Sequence, residues 1–342
     1  MRLTEEIFRR LPKADLHCHL DGSLRVDTIL DLAGKQNVEL PRKNRDQLEQ
    51  IIRVDRTTAS LEDYLDKFDI TLSVMQTPEA LERTAYELAA DAAAENVRYL
   101  EMRYSPILHT KQDMRETDTV DAVLQGLRRA RADYNIRTGV IVCGIRSISP
   151  DVSMKLAELA VAYKGKGVLG FDLAGAEENY PAKDHREAFY LILNNNINTT
   201  LHAGEAYGPE SIHQALHYCN AHRIGHGTRL KEDGELLNYV TDHRIPLEIC
   251  ITSNVHTHSV ESYRRHPVRF YFDYDVRVTL NTDNRLISNT DLTREYTLAH
   301  KYYEFTIDDF KEIIINGFKS AFLPYRQRKV MIKEVLEELE EY

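Results

Sequence analysis

The amino-acid sequence predicts an α/β fold in which eight parallel strands close into a (β/α)₈ TIM barrel. Eight short apolar runs rich in β-branched residues recur along the chain, and longer segments with apolar residues at helical spacing separate them. Such nearly continuous hydrophobicity is typical of strands that are buried on both faces of a parallel sheet, with helices as the crossovers. The alternative is an open doubly wound sheet, but no GxGxxG motif follows the first strand. The barrel is therefore the favoured fold.

The eight predicted strands begin near the N-terminus and continue through most of the chain. They comprise residues 14–19, 97–104, 138–146, 168–173, 198–203, 223–227, 246–251 and 276–282. Residues 78–96 illustrate the helical pattern between them, because their Ala and Leu residues recur at a spacing of three and four. The segment after residue 305 is also helical in pattern.

One connection, residues 20–96, is far longer than a simple crossover between strands. Helical patterns occur within it at residues 25–36, 45–52 and 61–75. Because the connection follows the first strand, we expect a helical insertion at the C-terminal face of the barrel, over the active site. No repeat, low-complexity segment or linker rich in Pro, Gly or Ser divides the chain, so a single domain over residues 1–342 is expected.

The composition restricts the classes of partner. The 342 residues include 44 Lys and Arg against 54 Asp and Glu, which gives a formal net charge of −10. This acidic balance argues against broad binding to nucleic acid or to anionic membranes. The first six residues lack the apolar segment of a secretory signal, and the four isolated Cys residues suit a reducing compartment. We therefore expect a cytoplasmic protein with no nucleic-acid or membrane partner, and its oligomeric state stays open.

Polar residues at the ends of the predicted strands indicate a metal site. Two of the 14 His residues, His17 and His19, close the first strand with a period of two, so both rings project to one face. His202 ends the fifth strand, His226 lies in the sixth, and Asp283 follows the eighth. Three of these four imidazoles and the carboxylate, at the C-terminal end of a barrel, form a ligand set suited to Zn²⁺ or a similar divalent ion. Each residue alone would be an ordinary strand, core or turn residue, and it is their shared position that favours the site.

Two residues are candidates for acid–base chemistry. Glu205 stands three residues after His202, and the intervening Gly204 permits a sharp turn that lets the carboxyl reach a substrate. The carboxyl can act there as a proton donor or acceptor, although by itself it would be interpreted as a helix N-cap. His226 lies between two Gly residues, and its ring can orient a water or take its proton.

The remaining histidines are interpreted as ordinary residues. His213 and His217 are four residues apart on a predicted helix, but an HExxH motif is absent. Another four are interpreted as surface residues: His222, His243, His266 and His300. His256 and His258 form a second HxH pair in a loop, and they are interpreted as neighbours of the site or exposed residues rather than as ligands.

Six motifs resemble, in order, those of adenosine deaminases, a family within the metal-dependent amidohydrolase superfamily. They are PKADLHCHLDGS at residues 12–23, DLAG at 172–175, HAGE at 202–205, RIGHG at 223–227, SN at 253–254 and LNTD at 280–283. An HxH pair is common by itself, but the ordered set is highly specific. The chain is similar to this family from residue 12 to about residue 290, which is most of its length.

The resemblance implies a (β/α)₈ barrel that holds one Zn²⁺ per chain. The metal ligands that it implies are His17, His19, His202 and Asp283. It also implies that Glu205 donates a proton to purine N1 and that His226 activates or orients the attacking water. Relatives with two metals use a bridging carbamylated Lys at the end of the fourth strand, and residues 171–175 contain no Lys, so one metal is expected.

The resemblance also implies which residues bind the substrate. Gly175 would contact the purine through its backbone N–H, and Asp21, with His19 nearby, would meet the ribose 5′-hydroxyl. Many members of the family have a second Asp after the ligand Asp, whereas this chain has Asn284. That position contacts purine N7 in the family. An amide can donate to N7 through its NH₂ group, which a carboxylate can do only when it is protonated.

The function that the resemblance implies is hydrolytic deamination of adenosine and 2′-deoxyadenosine to inosine and deoxyinosine, with release of ammonia, in purine salvage. The alternative within the same chemistry is another 6-aminopurine, either adenine or a modified adenine nucleoside such as aminofutalosine. A 5′-phosphate would meet the negative charge of Asp21, so AMP is not the expected substrate. A barrel that only binds would have lost Glu205, His226 or a ligand, and none is lost. Hydrolysis of a ring amide or ester usually requires the bridging Lys that is missing.

Overall fold

The computed structural model describes residues 2–54 and 61–342, and at its centre a parallel eight-stranded sheet curves into a barrel. The strands are β1 (Lys13–His19), β2 (Val97–Tyr104), β3 (Arg137–Ile145), β4 (Val168–Ala174), β5 (Asn198–Ala203), β6 (Arg223–His226), β7 (Leu247–Ile249) and β8 (Val278–Leu280). They pair with one another in chain order, and each pair is parallel. The predicted (β/α)₈ barrel is confirmed.

Helices surround this barrel. Over the described residues they are α1 (Glu5–Arg10), α2 (Val26–Gln36), α3 (Arg45–Ile52), α4 (Leu61–Leu65), α5 (Phe68–Val74), α6 (Pro78–Ala94), α7 (Glu116–Asp133), α8 (Pro150–Ala162), α9 (Arg186–Asn194), α10 (Pro209–His217), α11 (Gly234–Asp242), α12 (Ile251–His256), α13 (Val268–Asp273), α14 (Leu292–Tyr303), α15 (Ile307–Ser320) and α16 (Tyr325–Leu339). Within residues 2–54 and 61–342, no helix combines the length and the apolar character that crossing a bilayer would require.

The barrel closes between β1 and β8 at the residue that becomes part of the site. The N–H of Asp283 donates to the carbonyl of His17 over 2.7 Å, and the N–H of His19 donates to the carbonyl of Asp283 over 2.7 Å. Asp283 has a positive φ of 59°, a conformation that Asp adopts more readily than most residues. The closure places the side chains of these three residues next to one another.

The predicted strands lie close to the observed ones. Residues 97–104 and 198–203 coincide with β2 and β5, whereas β7 and β8 are shorter than predicted. The chain turns early after β7, because α12 begins at Ile251. Pro246 has no N–H to donate to a neighbouring strand, and β7 begins after it.

The long connection after β1 carries helices α2 to α6. The predicted helix at residues 61–75 is two helices, α4 and α5. Between them, the N–H of Lys67 bonds to the carbonyl of Tyr64 and the N–H of Asp69 to that of Asp66, and these bonds span three residues instead of four. The hydroxyls of Tyr64 and Ser288 lie 2.8 Å apart, which ties α4 to the segment after β8. Residues 55–60 of the predicted insertion lie outside the described residues.

The interior of the barrel holds charged side chains in addition to the branched apolar ones that usually fill it. Arg103 and Arg223 are fully buried there. Arg223 donates to Glu248 over 2.6 Å and also to Glu101, which in turn accepts from the N–H of Phe322 over 2.6 Å. Buried charges are tolerated when they are paired and hydrogen-bonded. This network leads from the N-terminal end of the barrel to the histidines at its C-terminal end.

Candidate active site

Four side chains from the ends of β1, β5 and β8 converge on one point. The Nε2 atom of His202 lies 3.0 Å from Nε2 of His17 and 3.0 Å from Nε2 of His19. Oδ1 of Asp283 lies 3.4 Å from Nε2 of His17 and 3.3 Å from Nε2 of His19. All four ligand atoms lie within 4.8 Å of one another, and among the residues that the structure describes no second cluster of this kind occurs.

Buried carboxylates fix the tautomers of two of these histidines. Nδ1 of His17 lies 2.9 Å from Oε2 of Glu248, and Nδ1 of His202 lies 3.1 Å from Oδ2 of Asp172. A carboxylate accepts hydrogen bonds, so each Nδ1 carries the proton and each Nε2 presents its lone pair to the cluster. Arg103 donates to both carboxylates, over 2.9 Å in each case. The orientation of the two rings is therefore set from inside the barrel.

The same groups keep the two carboxylates ionised. Burial would raise the pKa of Asp172, but the neighbouring His202 and Arg103 outweigh burial and hold that pKa well below its usual range. Burial likewise opposes ionisation of Glu248, and Arg103 and Arg223 lower its pKa well below the usual value. Both carboxylates are therefore acceptors at any pH near neutrality.

The donor set fits a tetrahedral divalent cation. Zinc binds His nitrogen at about 2.0–2.1 Å, which places tetrahedral ligand atoms about 3.3 Å apart. Four of the six separations between the ligand atoms are 3.0 to 3.4 Å, and all six are within 4.8 Å. Lone pairs held this close repel one another, and a cation between them removes the repulsion. Three imidazoles and one carboxylate in this arrangement suit zinc.

Glu205 lies beside this cluster, in the segment that follows β5. Its Oε1 accepts a hydrogen bond from the Thr257 hydroxyl over 2.9 Å, and its Oε2 lies 3.5 Å from Nε2 of His226. Burial raises the pKa of Glu205 to about 8, and the nearby charge of Asp283 adds to the increase. The carboxyl therefore holds its proton at neutral pH and can donate it.

A chain of hydrogen bonds assigns the tautomer of His226. The main-chain N–H of Val268 donates to Nδ1 of His266 over 3.1 Å, so that ring donates from Nε2 to Oδ1 of Asn254 over 3.1 Å. Burial lowers the pKa of His266 to about 3, so the ring is neutral and has a single N–H. The NH₂ group of Asn254 then donates to Nδ1 of His226 over 2.9 Å. His226 consequently presents an N–H at Nε2 toward Glu205, not a lone pair.

A cavity of about 240 Å³ opens in front of these residues. Helices α4 and α5 provide an apolar wall that consists of Leu61, Tyr64, Leu65, Phe68 and Leu72. Asp21 and Asn284 line the cavity as well, and the Oδ1 atom of each is buried without a hydrogen-bond partner among the described residues. An unsatisfied buried polar atom costs free energy. Oδ1 of Asn284 packs against Gly22. The cavity therefore suits a ligand that has an apolar face and a hydrogen-bond donor near Asp21.

The structure brings the residues of the predicted site together. All of them except His17, which lies in the metal cluster, line the cavity: His19, Asp21, Gly175, His202, Glu205, His226, Asp283 and Asn284. Gly175 has a φ of 95°, which a residue with a side chain rarely adopts. His213 and His217, by contrast, are exposed on α10, with ring centroids 4.4 Å apart.

The prediction that His266 lies at the surface is wrong, and two residues that hydrogen-bond to Glu205 were not predicted. His266 is not at the surface but is buried and bonded to Asn254. Thr257 and Glu177 both hydrogen-bond to Glu205, the first to its side chain and the second to its main chain. The position of Glu177, two residues after the DLAG motif, is the signal that could have indicated it. No motif contains Thr257.

Comparison with known proteins identifies relatives over nearly the whole chain. The family model described as adenosine deaminase matches residues 12–338. A probable adenosine deaminase of Dictyostelium discoideum is 42% identical over 321 residues, which is 94% of this chain, and this chain spans 42% of that longer relative. The adenosine deaminase of Clostridium kluyveri is 40% identical over 331 residues, which cover 97% of this chain and 95% of that protein.

A solved structure with the same fold contains a purine nucleotide. Arabidopsis ADAL complexed with IMP is 26% identical to this chain, with a TM-score of 0.87, and the match covers 98% of this chain and 99% of ADAL. The family model spans all of the residues that form the cluster and the cavity, and both sequence relatives match more than nine tenths of the chain. This chain therefore belongs to the adenosine deaminase family.

Proposed function

We propose that this protein catalyses the hydrolytic deamination of adenosine and 2′-deoxyadenosine, giving inosine or deoxyinosine and ammonia, in purine salvage. The observation that carries the proposal is the position of the buried Glu205 carboxyl, 3.5 Å from Nε2 of His226 and next to a cluster of three imidazoles and one carboxylate. Glu205 can supply a proton, and the cluster can hold a metal ion that acts as a Lewis acid. Hydrolysis at an amino-substituted ring carbon uses both functions. Membership of the adenosine deaminase family supports the same reaction.

The proposed cofactor is one Zn²⁺ per chain. The residues that would hold it are His17, His19, His202 and Asp283. The chemistry that the ion supplies when bound is Lewis acidity, which makes water nucleophilic near neutral pH. Asp172 and Glu248 support this set, because their hydrogen bonds to Nδ1 leave the Nε2 lone pairs of two histidines free to coordinate.

Glu205 is the proposed general acid. Its Oε1 accepts from the Thr257 hydroxyl, so the proton resides on Oε2, on the side of His226. Donation of this proton to N1 of the purine makes C6 more electrophilic, and the oxygen of water adds to C6. The added oxygen gives up both of its protons, one to the Glu205 carboxylate and one to the exocyclic nitrogen, and that nitrogen leaves as ammonia when its bond to C6 breaks.

His226 is the proposed hydrogen-bond donor to the attacking oxygen. Because Asn254 donates to Nδ1, the ring N–H is at Nε2 and faces Glu205. A donor at this position orients the water and stabilises the negative charge that develops on its oxygen. Of the two roles that the sequence leaves open for His226, the hydrogen-bond network favours orientation of the water over removal of its proton.

The substrate would be held by four residues that line the cavity. The unpartnered Oδ1 of Asp21 is an acceptor for the ribose 5′-hydroxyl, with His19 nearby. The backbone N–H of Gly175 would contact the purine, and the amide of Asn284 can donate to N7. Burial raises the pKa of Asp21 to about 7, so the carboxyl is partly ionised near neutral pH. A 5′-phosphate would meet that negative charge, which favours a nucleoside over a nucleotide.

The proposal extends to the organisation and location of the chain. We infer one catalytic domain over residues 1–342, with residues 20–96 as the insertion that covers the cavity. The single eight-stranded barrel and the helices α4 and α5 along the cavity wall support this. The four free, buried cysteines support a cytoplasmic protein. The net charge of −10 supports a small purine compound as the partner rather than nucleic acid or a membrane.

Steady-state ultraviolet assays on purified, zinc-loaded protein test the proposal. The substrate panel contains adenosine, 2′-deoxyadenosine, adenine, aminofutalosine and AMP, with ammonia release as a second readout. We expect the highest kcat/KM for adenosine and 2′-deoxyadenosine. A preference for adenine or aminofutalosine by orders of magnitude would replace the proposed substrate, and no turnover of any of the five would overturn the proposed reaction.

A further inference from the structure

One carboxylate, that of Glu177, binds four consecutive main-chain N–H groups. The N–H of Gly204 donates to Oε1 over 2.6 Å. The N–H groups of Glu205, Ala206 and Tyr207 donate to Oε2 over 3.0, 2.6 and 2.8 Å. Consecutive N–H groups that converge in this way form an anion-binding nest. The nest is occupied by a side chain of the protein itself, and Glu177 is only 5% exposed.

The Glu177 carboxylate joins two loops of the proposed active site. Glu177 lies two residues after Gly175, in the loop that follows β4, whereas the four N–H groups lie in the loop that follows β5. Gly175 is the proposed contact of the purine, and Glu205 is the proposed acid. The carboxylate therefore sets the distance between the group that would hold the ring and the group that would protonate it.

The loop has little other main-chain support at its far end. Residues 204–207 belong to neither a helix nor a strand. The carbonyl of Gly204 accepts from the Thr228 hydroxyl over 2.8 Å and from the N–H of Arg229 over 3.1 Å, which anchors the start of the segment. The N–H groups of Ala206 and Tyr207 bond to Glu177. Among the described residues, the main-chain N–H groups of Glu205, Ala206 and Tyr207 are thus held by this one carboxylate.

We propose that Glu177 is the positioning residue of the general acid, acting through the main chain of Glu205 without touching the substrate. The inference rests on the proposed role of Glu205 in deamination. Glu177 fixes the main chain at the start of the Glu205 side chain, and the Thr257 hydroxyl fixes the carboxyl at its end. A displacement of about 1 Å in a reacting group can cost about 100-fold in rate. Loss of the Glu177 carboxylate is therefore expected to lower kcat strongly and to leave the affinity for the substrate nearly unchanged.

The test compares Glu177→Gln with Glu178→Gln, which changes an exposed residue of the same loop. Gln has nearly the shape of Glu, but its NH₂ group would face either the N–H of Gly204 or the other three N–H groups, and it cannot accept from them. On zinc-loaded enzyme with adenosine as substrate, we expect E177Q to lower kcat about 10- to 100-fold. KM and zinc content should stay close to wild type, and E178Q should match wild type throughout.

Amide hydrogen exchange provides a readout that does not require activity. We expect exchange at residues 204–207 to be faster in E177Q and unchanged in E178Q. A double-mutant comparison then separates positioning from general damage. In an E205Q background, E177Q should lower the residual kcat only slightly, because a residue that acts through Glu205 loses its effect when position 205 cannot donate a proton.

Each outcome decides the proposal. Unchanged kcat in E177Q would overturn it, whether or not exchange becomes faster, and an equal loss of kcat in both backgrounds would make Glu177 a structural residue only. If E177Q does not fold, Glu177→Asp takes its place, because it keeps the charge but withdraws it by one methylene, and a smaller loss in kcat is expected. Failure of the wild-type protein to deaminate adenosine would overturn the proposed function instead, while the exchange data would still test the anchor.

Discussion

The hydroxyl of Thr257, directly after α12, donates a hydrogen bond to Oε1 of Glu205 over 2.9 Å. An oxygen that already accepts a hydrogen bond is the less favourable place for the carboxyl proton. The proton of Glu205 is therefore directed to Oε2, which lies 3.5 Å from Nε2 of His226. A single hydroxyl from another loop thus determines which oxygen of the proposed acid carries the proton.

Replacing Thr257 by Val removes this hydroxyl at nearly constant volume, and the proton of Glu205 can then reside on either oxygen. We expect kcat for adenosine to fall about tenfold, the size expected for one hydrogen bond, with little change in KM. Thr257→Ser keeps the donor and should recover most of the lost activity. Steady-state kinetics on both variants measure the difference, and an equal loss in the Ser and Val variants would contradict the role of the hydroxyl.

The proton of Glu205 itself is tested by Glu205→Gln, which cannot donate an acidic proton. We expect the variant to retain about one zinc per chain, since residue 205 is not in the proposed ligand set, and to lose turnover by about 10²- to 10⁴-fold or more. Metal analysis and kcat measured on the same preparation separate the two effects. Turnover near the wild-type rate would remove Glu205 from proton transfer.

The tautomer of His226 leads to a third prediction, at Asn254. Asn254→Asp replaces the NH₂ donor by an acceptor, so Nδ1 of His226 must carry the proton and Nε2 then presents a lone pair. If His226 serves as a donor to the attacking oxygen, we expect kcat to fall by about tenfold or more at unchanged zinc content. Equal or higher activity would identify His226 as a base. Nitrogen chemical shifts of its ring report the tautomer directly.

The fold and the members of the proposed site could be predicted from the sequence because both follow from strand positions. Residues 97–104 and 198–203 are predicted to the residue, because their β-branched, aromatic and Leu residues form short runs between longer helical patterns. His17, His19 and Asp283 lie at the ends of neighbouring strands. The C-terminal ends of the strands in a barrel lie close together whatever the conformation of the loops.

The hydrogen bonds that orient these residues could not be predicted, because they join distant parts of the chain through loop packing. Thr257 and Glu205 are 52 residues apart, and Glu177 and Glu205 are 28 apart. The residues around His266 show no apolar periodicity that would predict its burial. The ring can be buried because Asn254 and Val268 hydrogen-bond to both of its nitrogens. Helix periodicity also gives no signal for the interruption between α4 and α5.

The Asp172 carboxylate offers a test of the metal site that does not depend on turnover. Asp172→Asn removes the charge that faces Nδ1 of His202 and Arg103. Loss of such a partner typically weakens metal binding about 10- to 100-fold, and we expect a change of this size in the zinc dissociation constant, measured by chelator competition. Asp184→Asn, at an exposed position, is the matched control. An unchanged zinc affinity in D172N would contradict the orienting role of Asp172.

The buried carboxyl of Glu295 is expected to make the stability of the fold depend on pH, independently of catalysis. Its buried carboxyl accepts from the hydroxyls of Thr252 and Thr290 and from the N–H of Thr252. Burial outweighs these hydrogen bonds and raises the pKa of Glu295 from 4.5 to about 7. The folded chain therefore binds this proton more tightly than the unfolded chain does. The resulting stabilisation is fully present below the unfolded pKa and is lost as the pH rises through the folded pKa.

Glu295→Gln removes this titration while keeping a side chain of similar shape. We expect the free energy of unfolding of the wild type, relative to that of the Gln variant, to decrease by roughly 2–3 kcal/mol between pH 5 and pH 8. Denaturant unfolding of both zinc-loaded proteins at each pH measures the difference, and because both carry the same other titratable groups, those groups cancel. A difference that is constant with pH, or one that grows in favour of the wild type, would show that Glu295 stays ionised in the folded protein.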